Sequence, residues 1–299
     1  MNIDQLNHFF GLPGELDFFE AENGLVFIRI ANRHATAIVS TYGGQVLSWL
    51  PDGRQSNVLF VSEKAYFEVG KAIKGGVPVC WPWFGIDPEN RGRGSHGFVR
   101  NRQWSVRSAE STDSGSTLIR MSVDISDVQA ETWAYSCELV IEIEVGQELH
   151  VSLITENTGS HDMPLSQALH SYLAVEDVNR VVVSGLDGAE YIDAVDGYNR
   201  KKQSGDVSFS CEVDRIYQTS GQALYINNTS EDNSVSIRSE GSKSVVVWNP
   251  WVDKSRSMAD FAEREFMNMV CVETANAGDD VRLLKPGSSH RLSAILSVS

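Results

Sequence analysis

Short segments that alternate apolar and polar residues dominate the chain and predict β-strands. In the clearest one, Cys137–Val145, apolar residues stand at the odd positions and mainly glutamates at the even ones. A period of two gives one buried face and one hydrated face. A second run, residues 148–156, follows directly after Gly146 and Gln147. The pair predicts a β-hairpin with a two-residue turn.

Other short apolar runs, bounded by Gly, Asn, Asp or Ser, have the same character. They predict strands over residues 25–30, 58–61, 117–123, 168–175, 222–227, 244–248, 268–273 and 290–298. Helical periodicity is confined to residues 253–265. The lack of alternation between strands and long helices argues against a doubly wound parallel sheet. The sequence therefore predicts an all-β protein, with residues 1–299 forming one large antiparallel domain.

Composition and charge narrow the class of function. The 299 residues are 41% hydrophobic and 22% charged, which is typical of a globular protein with a core. The 25 basic residues against 40 acidic ones give a net charge of −15, which argues against nucleic acid or an anionic membrane as partner. The first residues lack the pattern of a signal peptide, and no apolar run could span a bilayer. We expect a cytoplasmic protein.

The four cysteines are spread along the chain without a metal-binding spacing. We expect free thiols and no metal at their positions, which are Cys80, Cys137, Cys211 and Cys271.

The segment 74–85, KGGVPVCWPWFG, is unusually rich in tryptophan, proline and glycine. Its aromatic side chains Trp81 and Trp83 fit either a plug that closes one end of a β core or a wall that packs on a sugar ring. A loop with Arg91, Arg93, His96 and Arg100 follows. This cationic loop fits either a hydrated surface or a site that attracts an anionic substrate.

Three further polar residues stand in or beside predicted strands. Alternation in residues 168–172 puts His170 and Tyr172 on one face, and Glu273 ends a strand in phase with Cys271. Asp214 stands in the segment VDRIY. Each of these residues, taken alone, is also typical of a structural position.

Taken together, these motifs occur in the order found in the hexose-6-phosphate mutarotases, also called glucose-6-phosphate 1-epimerases, of the aldose 1-epimerase superfamily. The string GGVPVCWPWFG, followed shortly by HGFVR at residues 96–100, carries the resemblance. The resemblance implies a galactose-mutarotase-like β supersandwich of large antiparallel sheets with few short helices. Its site would lie in an open groove on one face of a large sheet.

The resemblance also implies a role for each motif residue. His170 and Glu273 match the catalytic histidine and glutamate, Asp214 matches a substrate-binding aspartate, and Arg100 matches an arginine that binds the substrate phosphate. Further substrate-binding positions are Lys74, Ser95, His96, Trp81 and Trp83. Two of them depart from the family pattern, because Lys74 replaces an arginine and Ser95 a glutamine. Lysine keeps the charge but loses the bidentate fork of arginine.

The implied enzyme is a cofactor-independent, metal-free isomerase that exchanges the α and β anomers of hexose 6-phosphates, with glucose 6-phosphate as the leading candidate. Glu273 would act as general base and His170 as general acid, and the protein would be a monomer. Alternatives are an aldose 1-epimerase for neutral hexoses and a carbohydrate-binding module without turnover. A glycoside hydrolase that uses Asp214 and Glu273 as its two carboxylates is more remote.

Overall fold

Antiparallel strands make up most of the computed structural model, which describes residues 1–21, 23–219, 221–228 and 234–299. The strands of the first half of the chain are β1 (Leu16–Glu20), β2 (Val26–Ala31), β3 (Ala35–Ser40), β4 (Gln45–Pro51), β5 (Val79–Cys80), β6 (Trp104–Ser111), β7 (Thr117–Val123), β8 (Cys137–Val145) and β9 (Leu149–Asn157). Those of the second half are β10 (Met163–Leu165), β11 (Gln167–Leu169), β12 (Tyr172–Ala174), β13 (Val181–Ser184), β14 (Glu190–Asp193), β15 (Asn199–Lys202), β16 (Val207–Ser208), β17 (Val213–Gln218), β18 (Leu224–Asn228), β19 (Ser234–Glu240), β20 (Ser244–Asn249), β21 (Met269–Asn276), β22 (Arg282–Leu284) and β23 (Ser289–Val298).

Helices are few and short in the described residues. The α-helices are α1 (Ile3–Phe10) and α2 (Trp251–Ser257), and single 3-10 turns lie at Val99–Asn101, Val178–Arg180, Glu265–Asn268 and Gly278–Asp280. Within the described part of the chain, no helix is long and apolar enough to cross a bilayer.

Two large sheets form the body of the molecule. The nine-stranded sheet has the order β16-β13-β18-β19-β23-β9-β8-β7-β6. The eight-stranded sheet has the order β15-β14-β17-β20-β21-β11-β5, and β12 also pairs with β21. Smaller sheets are formed by β1–β4 in sequence order and by β10 with β22. The pairings between strands are antiparallel, which confirms the all-β prediction.

The period of two along the eight-stranded sheet separates the core from the opposite face. Val245 and Val247 of β20 join the hydrophobic core that also contains residues of the nine-stranded sheet, such as Leu153 of β9. Val246 and Trp248 point to the other side and line a cavity. The same alternation in β21 sends Val272 into the core and Glu273 into the cavity. Strand alternation alone therefore places polar side chains on the face of the sheet that lines the cavity.

Most predicted strands are confirmed, and four local predictions differ from the structure. The hairpin between β8 and β9 closes through residues 146–148, because Val145 pairs with Leu149 and the Gly146 N–H donates to the Glu148 carbonyl at 3.0 Å. Residues 58–61 make only isolated bridges with distant segments. The helix predicted over residues 253–265 is the shorter α2 followed by a loop and a 3-10 turn.

The strand predicted over residues 168–175 is interrupted at His170. The Ser171 N–H donates a hydrogen bond to the Leu169 carbonyl at 3.0 Å, which makes a three-residue turn with His170 at its centre. The chain then returns to the sheet as β12. His170 and Tyr172 nevertheless both line the same cavity, as alternation predicted.

Helix α1 was not predicted. It begins with a capping box, in which the Asn2 side chain accepts from the Gln5 N–H at 2.9 Å and the Gln5 side chain accepts from the Asn2 N–H at 3.1 Å.

We expect Leu153→Ala to destabilise the protein by about 2–5 kcal/mol, since Leu153 is fully buried in the central strand β9 and its truncation leaves a cavity. Chemical denaturation measures the change. Glu138→Ala, on the exposed side of the neighbouring strand β8, is the matched control and should change stability little. Equal stability of Leu153→Ala and the wild type would contradict the assignment of the core.

Candidate active site

A cavity of about 710 Å³ opens on the face of the eight-stranded sheet that points away from the core. Its size is within the range of ligand pockets. Seven of the predicted site residues line it: Lys74, Ser95, His96, Arg100, His170, Asp214 and Glu273. A second cavity, of about 850 Å³, lies around Ser122, Trp133 and Cys137 and contains none of the predicted site residues. Selection by cavity size alone would therefore have missed the predicted residues.

His170 and Glu273 face each other at the base of the cavity. The His170 Nε2 and Glu273 Oε1 atoms are 3.4 Å apart, with the side chains 10% and 1% exposed. Glu273 is held by β21, whose residues are all buried, and His170 by the turn between β11 and β12. The Tyr172 ring stacks on His170 with 4.6 Å between ring centroids and 9° between ring planes. The imidazole is thus fixed in place by packing.

Burial shifts the pKa of both groups toward their uncharged forms. The pKa of Glu273 lies well above its usual value, because burial disfavours the carboxylate and the nearby Asp214 adds repulsion. The pKa of His170 lies well below its usual value, because of burial and then the positive charges of its surroundings. The contact between them suits a single proton shared by an acid and a base.

Several polar atoms of the cavity residues have no hydrogen-bond partner within the described chain. They are His170 Nδ1, Glu273 Oε2 and Arg100 Nε. A buried polar atom left unpaired costs free energy, and such atoms cluster where a ligand supplies the missing bond. Hydroxyl-rich molecules such as sugars carry the matching donors and acceptors.

His96 stands beside His170 and has a defined tautomer. Its ring centroid is 5.9 Å from that of His170, and its Nδ1 accepts from the Gly85 N–H at 3.3 Å. Burial, followed by the charges of Arg100 and Lys74, lowers the pKa of His96 to about 3. The ring is therefore neutral, with its proton on Nε2, and can donate one hydrogen bond to a ligand.

Two cations predicted to bind phosphate have different partners. The Lys74 Nζ lies 3.4 Å from Asp260 Oδ2 and 3.8 Å from Met258 Sδ. The Arg100 Nη2 donates to the Ser95 carbonyl at 2.9 Å, and no carboxylate in the described chain lies within ion-pair distance of Arg100. Arg100 is therefore the less neutralised of the two. Ser95 orients this arginine through its backbone carbonyl.

The remaining cations of the predicted loop are structural. Arg93 pairs with Asp87 and Glu89 and covers the Trp83 ring at 4.2 Å. Arg91 pairs with Glu89 at 3.1 Å. Both guanidinium groups are already balanced by carboxylates, so they do not act as free positive charges for an anionic substrate.

Asp214 occupies the cavity wall on β17 and is half-buried. The pKa of Asp214 is raised to about 6, first by burial and then by the neighbouring Glu212, while Lys254 opposes the shift. Above that pH the carboxylate can accept hydrogen bonds from hydroxyl groups.

Neither Trp81 nor Trp83 lines the cavity, in contrast to the prediction that one of them packs on a sugar ring. Trp81 is fully buried, and its indole N–H donates to Thr155 Oγ1 at 3.0 Å. Trp83 is 3% exposed, and its N–H donates to the Gly94 carbonyl at 3.0 Å. Both indoles find their partners inside the fold, so they form the plug that was the other interpretation of the segment.

Other aromatic residues take the place expected of the tryptophans. The cavity is lined by Phe84, Tyr172 and Trp248. Tyr172 shares the phase of His170, and Trp248 alternates with the core residue Val247, so strand periodicity would have found both. Lys254, on α2, also lines the cavity and was not predicted.

Two glycines permit the close packing that shapes this region. Gly76 has a φ of +65°, and a Cβ there would collide with the Val46 carbonyl oxygen. Gly97 has a φ of +70°, and a Cβ there would collide with the Trp81 carbonyl oxygen. Only glycine fits either position, which explains its presence in both motifs.

Comparison with known proteins agrees with the geometry. The aldose 1-epimerase family model matches residues 27–297. The chain belongs to the aldose 1-epimerase family. It is 34% identical over 268 residues to a protein of Cenchrus ciliaris named "putative glucose-6-phosphate 1-epimerase", covering 87% of this chain and 80% of that protein. A protein of the same printed name from Escherichia coli is 32% identical, covering 91% of this chain and 90% of the relative.

Two solved structures share the fold of this epimerase. A structure titled as a "putative mutarotase" from Salmonella typhimurium superposes with a TM-score of 0.88 at 27% identity, covering 99% of each chain. A galactose mutarotase-like protein from Clostridium acetobutylicum gives 0.71 at 15% identity, covering 95% of this chain and 98% of that one. The predicted galactose-mutarotase-like fold and the family resemblance are confirmed, and the family makes the protein an isomerase.

In the described residues of this epimerase, no group of three or more His, Cys, Asp or Glu side chains is placed to hold a metal ion.

The raised pKa of Asp214 predicts a pH-dependent gain in stability for Asp214→Asn. The folded-state pKa of about 6 exceeds the reference value of 3.8. The protonated Asp214 therefore adds to the free energy of unfolding fully below about pH 4, and this stabilisation is lost as the pH rises through 6. At pH 8 the substitution should stabilise the protein by about 1–2 kcal/mol, a figure reduced for partial exposure, and at pH 4 it should not.

Chemical denaturation at the two pH values measures the difference. Asp253→Asn, whose side chain is 99% exposed, is the control and should leave stability unchanged at both. A stability difference for Asp214→Asn that does not vary with pH would contradict the shifted titration.

Proposed function

We propose that the protein interconverts the α and β anomers of hexose 6-phosphates, with glucose 6-phosphate as the leading substrate. The observation that carries the proposal is the buried contact between His170 and Glu273 in a cavity that also presents Arg100 and Lys74. An acid–base pair suits hemiacetal opening, and the two cations suit a phosphate group. The printed names of the curated relatives point to the same substrate.

Ring opening moves one proton at each of two oxygens. The Glu273 carboxylate takes the proton of the anomeric O1 while the His170 imidazolium gives its proton to the ring oxygen O5, and the C1–O5 bond breaks. The open-chain aldehyde rotates about C1–C2. His170 then recovers the proton from the O5 hydroxyl, O5 attacks the other face of C1, and Glu273 returns its proton to O1.

The pKa shifts fit this cycle because both groups are uncharged at its midpoint. After ring opening Glu273 is protonated and His170 is neutral, which is the charge state that burial favours. The cavity thus stabilises the acid–base pair in the form that accompanies the open-chain sugar. Hydrogen bonds from the sugar hydroxyls stabilise the ionised pair that accompanies the closed ring.

The other cavity residues supply substrate binding. Asp214 accepts hydrogen bonds from sugar hydroxyls and His96 donates one through Nε2. Trp248 offers an aromatic surface for the C–H face of the ring, with its own ring centroid 5.9 Å from that of His170. Arg100 and Lys74 hold the phosphate, although Lys74 binds it as a point charge without the fork of arginine.

One observation favours a second candidate, an epimerase of neutral hexoses. Lys74 is already paired with Asp260, which reduces the positive charge that it offers to an anion. Arg100 has no such partner, and for this reason the phosphate ester remains the first proposal.

We propose further that residues 1–299 form a single domain that acts as a cytoplasmic monomer. Support for one domain comes from the main hydrophobic core, which extends from Leu6 to Leu296.

Glu273→Gln should lower kcat for glucose 6-phosphate by at least about 100-fold, since the amide keeps the shape of the side chain but cannot accept the O1 proton. Anomer exchange followed by NMR, together with a thermal melt that reports folding, makes the measurement. The exposed Glu263→Gln is the control and should exchange anomers at the wild-type rate. A folded Glu273→Gln protein of full activity would show that another group is the base.

A further inference from the structure

Helix α2 places a third cation in the cavity. Lys254 on α2 and Met258, the C-cap residue that follows the helix, both line the cavity wall. The Met258 sulfur contacts Lys74, so the C-terminal end of α2 adjoins the cationic part of the cavity. Asp214 lies close enough to Lys254 for the lysine charge to act on its pKa.

The charge of Lys254 is not committed to a carboxylate. Within the described residues, no carboxylate lies within ion-pair distance of its ammonium group. The adjacent Asp253 approaches Arg256 instead, at 3.9 Å. By contrast, Lys74 is paired with Asp260 at 3.4 Å. Lys254 and Arg100 are therefore the cavity cations without an ion-pair partner in the described residues, although the carboxyl groups of Glu212 and Asp214 lie close enough to Lys254 to feel its charge.

A phosphate monoester carries a charge of about −1.5 to −2 near pH 7, and the cavity also holds the carboxyl groups of Asp214 and Glu273. One free guanidinium does not balance a dianion in such surroundings. A second uncommitted cation does, and a lysine on a flexible stem reaches phosphate oxygens from several directions.

We propose that Lys254 is a specificity-determining residue that binds the phosphate group of the substrate together with Arg100. The inference rests on the proposed function, and it explains how the site accepts a phosphate although Lys74 replaces the family's arginine and is tied to Asp260. The pairing of Lys254 with the substrate, and its absence for a neutral hexose, would make the enzyme prefer the ester.

The test compares Lys254→Met with Arg256→Met, a removal of the same charge from the exposed side of the same helix. Anomer exchange is measured with glucose 6-phosphate and with glucose, and binding of glucose 6-phosphate is measured separately by calorimetry. Lys254→Met should raise the KM and Kd for glucose 6-phosphate about tenfold, change kcat less than twofold, and lower the ratio of kcat/KM between ester and free sugar about tenfold. Arg256→Met should match the wild type, and Lys254→Arg should restore most of the affinity.

Two results would overturn the inference. An unchanged Kd for glucose 6-phosphate in Lys254→Met would show that the ammonium does not contact phosphate. Equal losses for the ester and for glucose, with a shifted pH profile, would show that Lys254 acts through Asp214. Failure of the proposed function can be distinguished from failure of this inference. A wild-type protein that binds the ester without exchanging its anomers would reject catalysis, and the binding comparison would still decide the role of Lys254.

Discussion

The contact between His170 and Glu273 is the interaction on which the site depends, because it places an acid and a base side by side out of water. Burying a carboxyl group costs free energy, and the protein meets that cost by keeping the pair uncharged. The contact also requires a rigid backbone that holds the two side chains at this distance. Strand β21 provides it, since it lies between β20 and β11 within the eight-stranded sheet and is buried along its whole length. Tyr172 fixes the imidazole from the other side.

The rest of the cavity follows from the two faces of that sheet. Alternation along β17, β20 and β21 sends one set of side chains into the core and Asp214, Trp248 and Glu273 toward the cavity. The cations come instead from loops and from α2, which lie above the sheet. The sheet thus fixes the groups that move protons, and the loops carry the groups that recognise charge. This division agrees with the departure at Lys74, since a loop cation can be replaced without disturbing the acid–base pair.

Period-two alternation was sufficient to predict the strand at Cys137–Val145 and the shared face of His170 and Tyr172, and composition with bounding turn residues predicted the strand at Thr117–Val123. Alternation failed where a local backbone turn or a tertiary contact decides the outcome. The turn centred on His170 depends on a local backbone bond, and the ion pair of Lys74 joins residues distant in sequence. The tryptophans of residues 81 and 83 were ambiguous because composition does not say which partner an indole N–H will meet. The capping box of Asn2 and Gln5 was visible in the sequence and would have revealed α1.

The most direct test of the account is magnetisation-transfer NMR of anomer exchange, with glucose 6-phosphate and glucose measured in parallel at low buffer concentration. We expect the wild-type protein to accelerate exchange of the ester strongly and to act on glucose with a much lower kcat/KM. Comparable exchange of the two sugars would contradict the phosphate specificity and indicate a general aldose epimerase. No acceleration of either sugar by the folded protein would contradict the catalytic role of His170 and Glu273.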